Sequence, residues 1–177
     1  NDLIATDVKS FIQLMNNGSR FILQGNSALE LSAIKKITLN ELLLALAMEE
    51  IRNVPKSNGN QTTCNTAVYG KEVTVNKISP LTARDLGFKK LNGAKQLAQS
   101  GYKESSLIVA KETYRKYPET KLNIDDRLYF VDLLMQLNLM NEAETDLNKI
   151  KNMKLNPEES AKVTKRLNKI KELAVKN

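Results

Sequence analysis

The sequence predicts a fold that is all-α or nearly so, and three observations lead to this prediction. Aromatic residues make up only 5% of the 177 residues and Trp is absent, whereas Leu, Ala, Lys, Glu and Asn are frequent, which favours helices over strands. The chain has four Pro and seven Gly, too few for the many turns of a β-sandwich. From Leu86 onward, apolar residues recur at helical spacing between short turn signals, which is typical of stacked antiparallel helix pairs.

Residues 1–54 are predicted to form an N-terminal helical region. Apolar side chains follow the i, i+3, i+4, i+7 rule across residues 8–15, which indicates a helix that ends at the turn signal Asn16-Asn17-Gly18. Residues 27–30 read S-A-L-E, the form of a capping box, and predict a short helix that reaches about residue 37.

A second capping-box pattern, Thr38-Leu39-Asn40-Glu41, predicts the strongest helix of this region. The helix is expected to run from Leu42 to about Arg52, where the approach of Pro55 ends it. Its apolar residues cover more than one face, so we expect it to be buried on most sides.

Residues 55–80 are predicted to form a loop with one short β element. The segment 55–66 is polar and rich in turn residues, which makes it the best candidate hinge. β-branched residues at 73–75 predict a short strand or hairpin within residues 69–78.

Residues 81–177 carry the signals of five consecutive helices. Gly101 and Pro118 end the first two, and Asn123, Asn141 and Asn156 are candidate caps of the last three. The helices are predicted over residues 81–100, 103–117, 124–137, 142–153 and 157–175. Their connections are short, so neighbouring helices should pack antiparallel.

The turns between these helices repeat. Residues 101–106 and 138–143 each lie between two helices, and aligning them superposes the apolar and small positions of the two helix pairs. Leu97 then matches Leu134, and Ser106 matches Ala143. A helix pair repeated at this period, about 37 residues, is the sign of a solenoid.

These residues resemble the tetratricopeptide repeat, a family with two helices per unit, a small residue where they cross, a turn glycine and a terminal proline. Gly101, Ser106 and Pro118 stand at those positions in the first unit. The second unit departs from the pattern, because Asn138 replaces the turn glycine and Arg127 stands where the family often has Trp. The resemblance implies a two-repeat solenoid with the final helix as its cap.

The resemblance further implies a protein–protein interaction or complex-assembly module, a scaffold or adaptor that binds a peptide or helix of a protein partner. In that family the groove is lined by the first helix of each pair. Six residues at the corresponding positions are the candidate partner-binding residues: Lys90, Asn92, Lys95, Arg127, Phe130 and Asp132.

Two alternative functions remain open from the sequence. The formal net charge is +7, and residues 86–177 hold 18 basic and 12 acidic residues, which suits a basic module that binds nucleic acid or an anionic membrane surface. The apolar segment 42–48 suits instead a structural subunit that docks into a homo-oligomer or into a bacterial envelope or secretion machine.

The residues required for common catalytic mechanisms are missing. The chain has no His, which excludes Ser-His-Asp and Cys-His catalysis, and the single cysteine, Cys64, cannot build a structural zinc site. The acidic pairs Asp125-Asp126 and Glu158-Glu159 fit the first turns of helices better than a glycosidase acid–base pair. We therefore expect a protein that is not an enzyme, without catalytic residues, cofactor or metal.

The sequence gives two weak indications of where the protein is located. The chain begins at Asn1, and this start fits a processed protein of the bacterial envelope as well as a cytoplasmic one. The single cysteine neither requires nor excludes an oxidising compartment. The envelope, periplasmic or secreted, is slightly favoured.

Overall fold

The computed structural model describes residues 2–16, 19–52 and 82–174. Helices account for 68% of these residues, so the prediction of a mostly helical fold is confirmed for this part of the chain. The hinge predicted within 55–66, which includes Cys64, and the β element predicted within 69–78 fall outside the described residues.

Residues 3–30 form four short strands and their connections, not the helices predicted there. Strand β1 (Leu3–Ala5) pairs antiparallel with β4 (Ala28–Glu30). Strand β2 (Ile12–Asn16) pairs antiparallel with β3 (Ser19–Leu23), with Asn16 opposite Ser19. A 3-10 helix, Leu31–Ala33, follows β4 directly.

The helix predicted over residues 8–15 is wrong because a hairpin signal competes with the helical spacing. Asn17-Gly18 stands between β2 and β3 in the sequence, and Asn-Gly is the preferred dipeptide of two-residue hairpins. In β3 the side chains alternate, with Phe21 and Leu23 buried and Ile22 between them half-buried. Cross-strand pairing therefore determines the structure here.

The helix predicted over residues 27–37 is also wrong, although its sequence has the form of a capping box. Ser27 caps nothing, because its side chain is buried beneath the strands. Its backbone N–H donates to Thr6 Oγ1 at 3.0 Å, and its hydroxyl accepts from Gln96 Nε2 at 2.7 Å. These long-range bonds hold the segment extended.

Helix α1 (Leu39–Arg52) begins at the second capping box, which is confirmed. The Glu41 N–H donates to Thr38 Oγ1 at 3.3 Å, and the Thr38 N–H donates to Glu41 Oε2 at 2.7 Å. The expected burial on most sides is wrong. One face, with Leu42 and Leu46, packs into the core, and the opposite face is exposed.

Five further helices follow, each with ends within two residues of the predicted ones. They are α2 (Ala83–Gln99), α3 (Lys103–Lys116), α4 (Ile124–Gln136), α5 (Met140–Lys151) and α6 (Pro157–Ala174). The predicted caps Asn123 and Asn156 accept from the N–H groups of Asp126 and Glu159 at 3.1 and 2.8 Å. Asn141 is not a cap, because α5 begins one residue before it.

The two predicted repeat turns have the same geometry. Gly101 and Asn138 both adopt the left-handed conformation, with φ of 88° and 61°. The Tyr102 N–H donates to Leu97 O, and the Leu139 N–H donates to Leu134 O, which is the bond that closes a Schellman turn. Each helix pair therefore ends its first helix in the same way.

The hydrophobic core lies mainly between the helices and draws side chains from all six of them. A smaller cluster, formed by Phe21, Leu23, Leu29 and Leu97, joins the strands to α2. The strands thus form a layer on one side of α2, while α1 packs against α3.

Candidate functional site

The three candidate groove residues on α2 contact other parts of the chain. Lys90 Nζ lies 2.8 Å from Glu30 Oε1 of β4, and Asn92 Nδ2 donates to Asn26 O at 2.9 Å. Lys95 forms an ion pair with Asp126 at the start of α4. Partner binding through these side chains would have to displace intramolecular bonds.

The three candidate groove residues on α4 also contact other side chains of the protein. Phe130 is 2% exposed and packs edge-on against Tyr114 and Tyr129 in the core. Arg127 is half-buried, and Asp132 receives two hydrogen bonds from Arg166 of α6, at 2.8 and 2.7 Å. The six residues therefore do not meet in one open groove.

The chain's own strands cover the face of α2 that the sequence suggests for a partner. Gly93 permits this contact, because a Cβ on Gly93 would lie 2.3 Å from the carbonyl oxygen of Ala28. Lys89 Nζ donates to Thr6 O at 2.9 Å, and the Gln24 N–H donates to Gln96 Oε1 at 2.7 Å. Sequence spacing alone does not reveal such long-range cover.

The outer face of α1 carries three large exposed apolar side chains, two of which lie in the apolar segment 42–48 that the sequence suggested for docking. Leu44 is 64% exposed, Met48 is 44% exposed and Ile51 is 71% exposed. At about 100° per residue, these three positions fall within an arc of roughly 60°, opposite the buried Leu42 and Leu46. We call the three residues the α1 stripe. The apolar residues on more than one face of this helix were its sequence signal.

A carboxylate holds α1 in place beneath the stripe. Glu49 is 6% exposed, and its oxygens accept from Arg115 Nε of α3 and from Arg52 Nη1, both at 2.7 Å. Burial acts to raise the pKa of Glu49, but the hydrogen bonds from Arg115 and Arg52 outweigh it and lower the pKa below its usual value. Glu49 is therefore ionised at neutral pH and fixes α1 on α3.

The basic face of α6 is partly neutralised. Lys162 Nζ lies 3.0 Å from both Asp125 and Glu158, and Arg166 pairs with Asp132. Lys165 and Lys169 remain exposed. This leaves a thin positive surface instead of a continuous basic track.

The described ranges contain no evident metal site and no membrane-spanning helix. Within them, no three His, Cys, Asp or Glu side chains come together as a group that holds a metal ion. None of the described helices combines the length and hydropathy that a bilayer-spanning segment requires.

Comparison with known proteins shows no relative of the whole chain or of a part of it. No protein-family model, no curated protein and no solved structure matches the sequence or the fold significantly.

Proposed function

We propose that the chain is a protein-interaction module built on tetratricopeptide-like helix pairs, and that it binds one helix of a partner protein along the α1 stripe. The exposure of Leu44, Met48 and Ile51 on a helix that is otherwise packed on α3 is the observation that carries this proposal. The equal turns at Gly101 and Asn138 support the repeat architecture behind it.

The spacing of the stripe argues for a helical occupant. Leu44, Met48 and Ile51 are separated by four and then three residues, which is the spacing of a helix–helix seam. An extended peptide would instead require contacts at every second residue of a free strand edge. A partner helix with apolar residues at the same spacing matches the stripe.

Burial of the stripe supplies one part of the free energy of such a complex. Complete burial of a Leu, Met or Ile side chain contributes roughly 1.5–3 kcal/mol. With the exposed fractions of the three residues, the stripe offers about 3–4 kcal/mol. Loss of the outer two side chains is therefore expected to weaken partner binding by roughly 100-fold.

The proposal is tested by affinity capture with the full chain from lysate of the native host, at low and at high salt. The double variant Leu44→Ser, Ile51→Ser removes the stripe, and Val8→Ser removes a comparably exposed apolar side chain, 76% exposed, from the strand layer. We expect one discrete protein to be retained at high salt by the wild type and by Val8→Ser, but not by the double variant.

Three results would contradict the proposal. Equal retention by the double variant would exclude the stripe as the binding surface. Capture of a second copy of the chain alone would indicate the structural-subunit alternative. Capture of nucleic acid or lipid that is lost as salt rises would indicate the basic-module alternative.

A further inference from the structure

A cleft of about 490 Å³ lies between α3, α4, α5 and the 3-10 helix Pro118–Leu122. This volume is within the usual range of small-molecule sites, roughly 300–1,000 Å³. One part of its wall is apolar and is formed by Leu122, Phe130, Val131, Ile150 and Met153. An apolar ligand body of moderate size therefore fits against this wall.

The rest of the lining is strongly positive. Five cations, Lys111, Arg115, Lys121, Arg127 and Lys149, line the cleft with a single carboxylate, Asp146. Lys111 pairs with Asp146, Arg115 with Glu49 and Lys149 with Glu50. In the described part of the chain, Lys121 and Arg127 form no ion pair, so the cleft has two cations without a counter-ion.

Arg127 is costly to keep in this position. It is half-buried, and its Nη1 lies 2.8 Å from Met153 Sδ, a weak acceptor that carries no charge. Burial lowers the pKa of Arg127, and burial together with the neighbouring cations Arg127, Lys149 and Lys111 lowers the pKa of Lys121. For both groups burial is the largest cause, and the nearby carboxylate of Asp146 offsets it only in part.

A buried hydroxyl at the same cleft also lacks a partner. Tyr114 lines the cleft, and its hydroxyl is buried without a hydrogen-bond partner among the described residues. Leaving such a group unsatisfied costs about 1–3 kcal/mol. Burial raises the pKa of Tyr114 far above its usual value, with Arg127 acting in the opposite direction. The hydroxyl therefore stays protonated as a donor, close enough to Arg127 for the two to interact.

We propose that this cleft binds an amphipathic organic anion. Its carboxylate or phosphate headgroup is held by Lys121 and Arg127 and accepts a hydrogen bond from the Tyr114 hydroxyl once that buried group turns toward the cleft, while its apolar body lies against Leu122 and Met153. One headgroup satisfies three groups that are otherwise unmatched. A nucleic-acid backbone would need a row of free cations, whereas here two free cations adjoin an apolar wall.

The test is calorimetric titration of the full chain at low salt with octanoate, octyl phosphate, octanol and inorganic phosphate. We expect saturable one-to-one binding of octanoate, octyl phosphate or both, and the tighter of the two identifies the headgroup. Octanol and inorganic phosphate should bind at least about tenfold more weakly, because each lacks one half of the ligand. Equal binding of octanol and octanoate, or no binding of either anion at millimolar concentration, would overturn the proposal.

Variants separate this site from a general charge effect. Arg127→Gln and Lys121→Gln should each weaken binding of the anion about tenfold, because each removes a charge-assisted hydrogen bond. The matched control Lys169→Gln removes an exposed cation of α6 and should leave affinity unchanged. An equal loss in Lys169→Gln would show non-specific attraction and would refute the site.

The variant Tyr114→Phe distinguishes a ligand-binding role of the hydroxyl from a structural role, because the two roles predict different changes in affinity and in stability. The hydroxyl has no hydrogen-bond partner within residues 2–16, 19–52 and 82–174, so its removal should leave thermal stability unchanged or raise it. Affinity for the anion should nevertheless fall about three- to tenfold. A stability loss with unchanged affinity would contradict the assignment of this hydroxyl to the ligand.

Discussion

Replacement of Gly93 by Ala tests whether the strand layer is seated on α2, because two effects of opposite sign compete at this position. Gly93 lies within α2, where Ala is the better helix former by about 1 kcal/mol. The new Cβ would lie only 2.3 Å from the carbonyl oxygen of Ala28 and 3.1 Å from its carbonyl carbon. Relief of this clash requires β4 to move away from α2 by about 1 Å, given the usual contact distance of ~3.5 Å.

Such a movement disturbs the bonds that join the two layers. The Lys90–Glu30 ion pair at 2.8 Å and the Asn92–Asn26 hydrogen bond at 2.9 Å involve the residues two positions after and two positions before Ala28. Overpacking of this kind costs roughly 1–3 kcal/mol, and each weakened hydrogen bond costs about 1 kcal/mol more. After subtraction of the helix-propensity gain, we expect Gly93→Ala to lower the free energy of unfolding by about 2–4 kcal/mol.

The assay is urea unfolding followed by circular dichroism, with native-state hydrogen exchange of the amides in residues 2–33. Those amides should lose protection more than the amides of α4 and α5. Asn92→Ala is the control, since it removes one interlayer hydrogen bond without adding an atom, and it should cost no more than about 1 kcal/mol. An increase of about 1 kcal/mol in the stability of Gly93→Ala would show that helix propensity acts alone and that no strand lies on α2.

Three further predictions concern α1, the repeat turn and the cleft. Glu49→Gln should lower the free energy of unfolding by about 1–3 kcal/mol at pH 7, because Arg115 and Arg52 lose an ionised acceptor. The pKa of Glu49 is lowered by folding, so this difference should vanish as the pH falls below about 4. Asn138→Ala should cost about 1 kcal/mol at a φ of 61°, whereas Asn138→Gly should cost nothing. Folding lowers the pKa of Lys121, so its charge destabilises the fold less as the pH rises towards about 10, and the stability advantage of Lys121→Gln over the wild type should shrink over that range.

Each of these predictions has a result that would contradict it. If Glu49→Gln lowers the free energy of unfolding equally at pH 3 and at pH 7, packing of the side chain and not its charge holds α1 on α3. If Asn138→Gly destabilises as much as Asn138→Ala, the side chain of Asn138 matters more than its left-handed backbone. If Lys121→Gln follows the wild-type pH profile, the positive field in the cleft is not what destabilises the lysine. Urea unfolding at a series of pH values measures all three.

The helices α2 to α6 were predictable because their signals are local. Asn123 and Asn156 cap helices whose apolar residues recur over 12 to 18 residues, and Gly101 ends α2 where a left-handed residue is needed. Strong hydrophobic periodicity over several helical turns is not compatible with a strand or a loop. The capping box at Thr38 was also predicted from a local sequence pattern.

The strand layer was not predictable from local signals in the same way. Its strands are only three to five residues long, and a run such as residues 8–15 matches helical spacing by chance. Hydrogen bonds to residues distant in the chain determine the local backbone structure here. Ser27, for example, is hydrogen-bonded to Thr6 and to Gln96. The contacts of Lys90 and Asn92 have the same origin, because their partners Glu30 and Asn26 lie 60 and 66 residues earlier in the chain.

The candidate binding surfaces show that residue spacing in the sequence predicts the faces of a helix, but not which face is exposed. Apolar residues on two faces of α1 were visible in the sequence, but only the fold tells that Leu42 faces the core and Leu44 does not. Arg127 was selected for a groove between first helices, and it lies instead in a cleft closed by Pro118–Leu122. Which face of a helix stays open depends on the neighbours that pack against it.

Site-specific photo-crosslinking at Met48 tests the central claim most directly. A photoreactive amino acid replaces Met48 in the full chain, and Asn168, an exposed position on α6, serves as the matched control. The account predicts a covalent adduct from position 48, but not from position 168, with one partner protein, at residues of that partner spaced three or four apart. Adducts from position 168 alone, or from neither position, would contradict the claim that the α1 stripe is the binding surface.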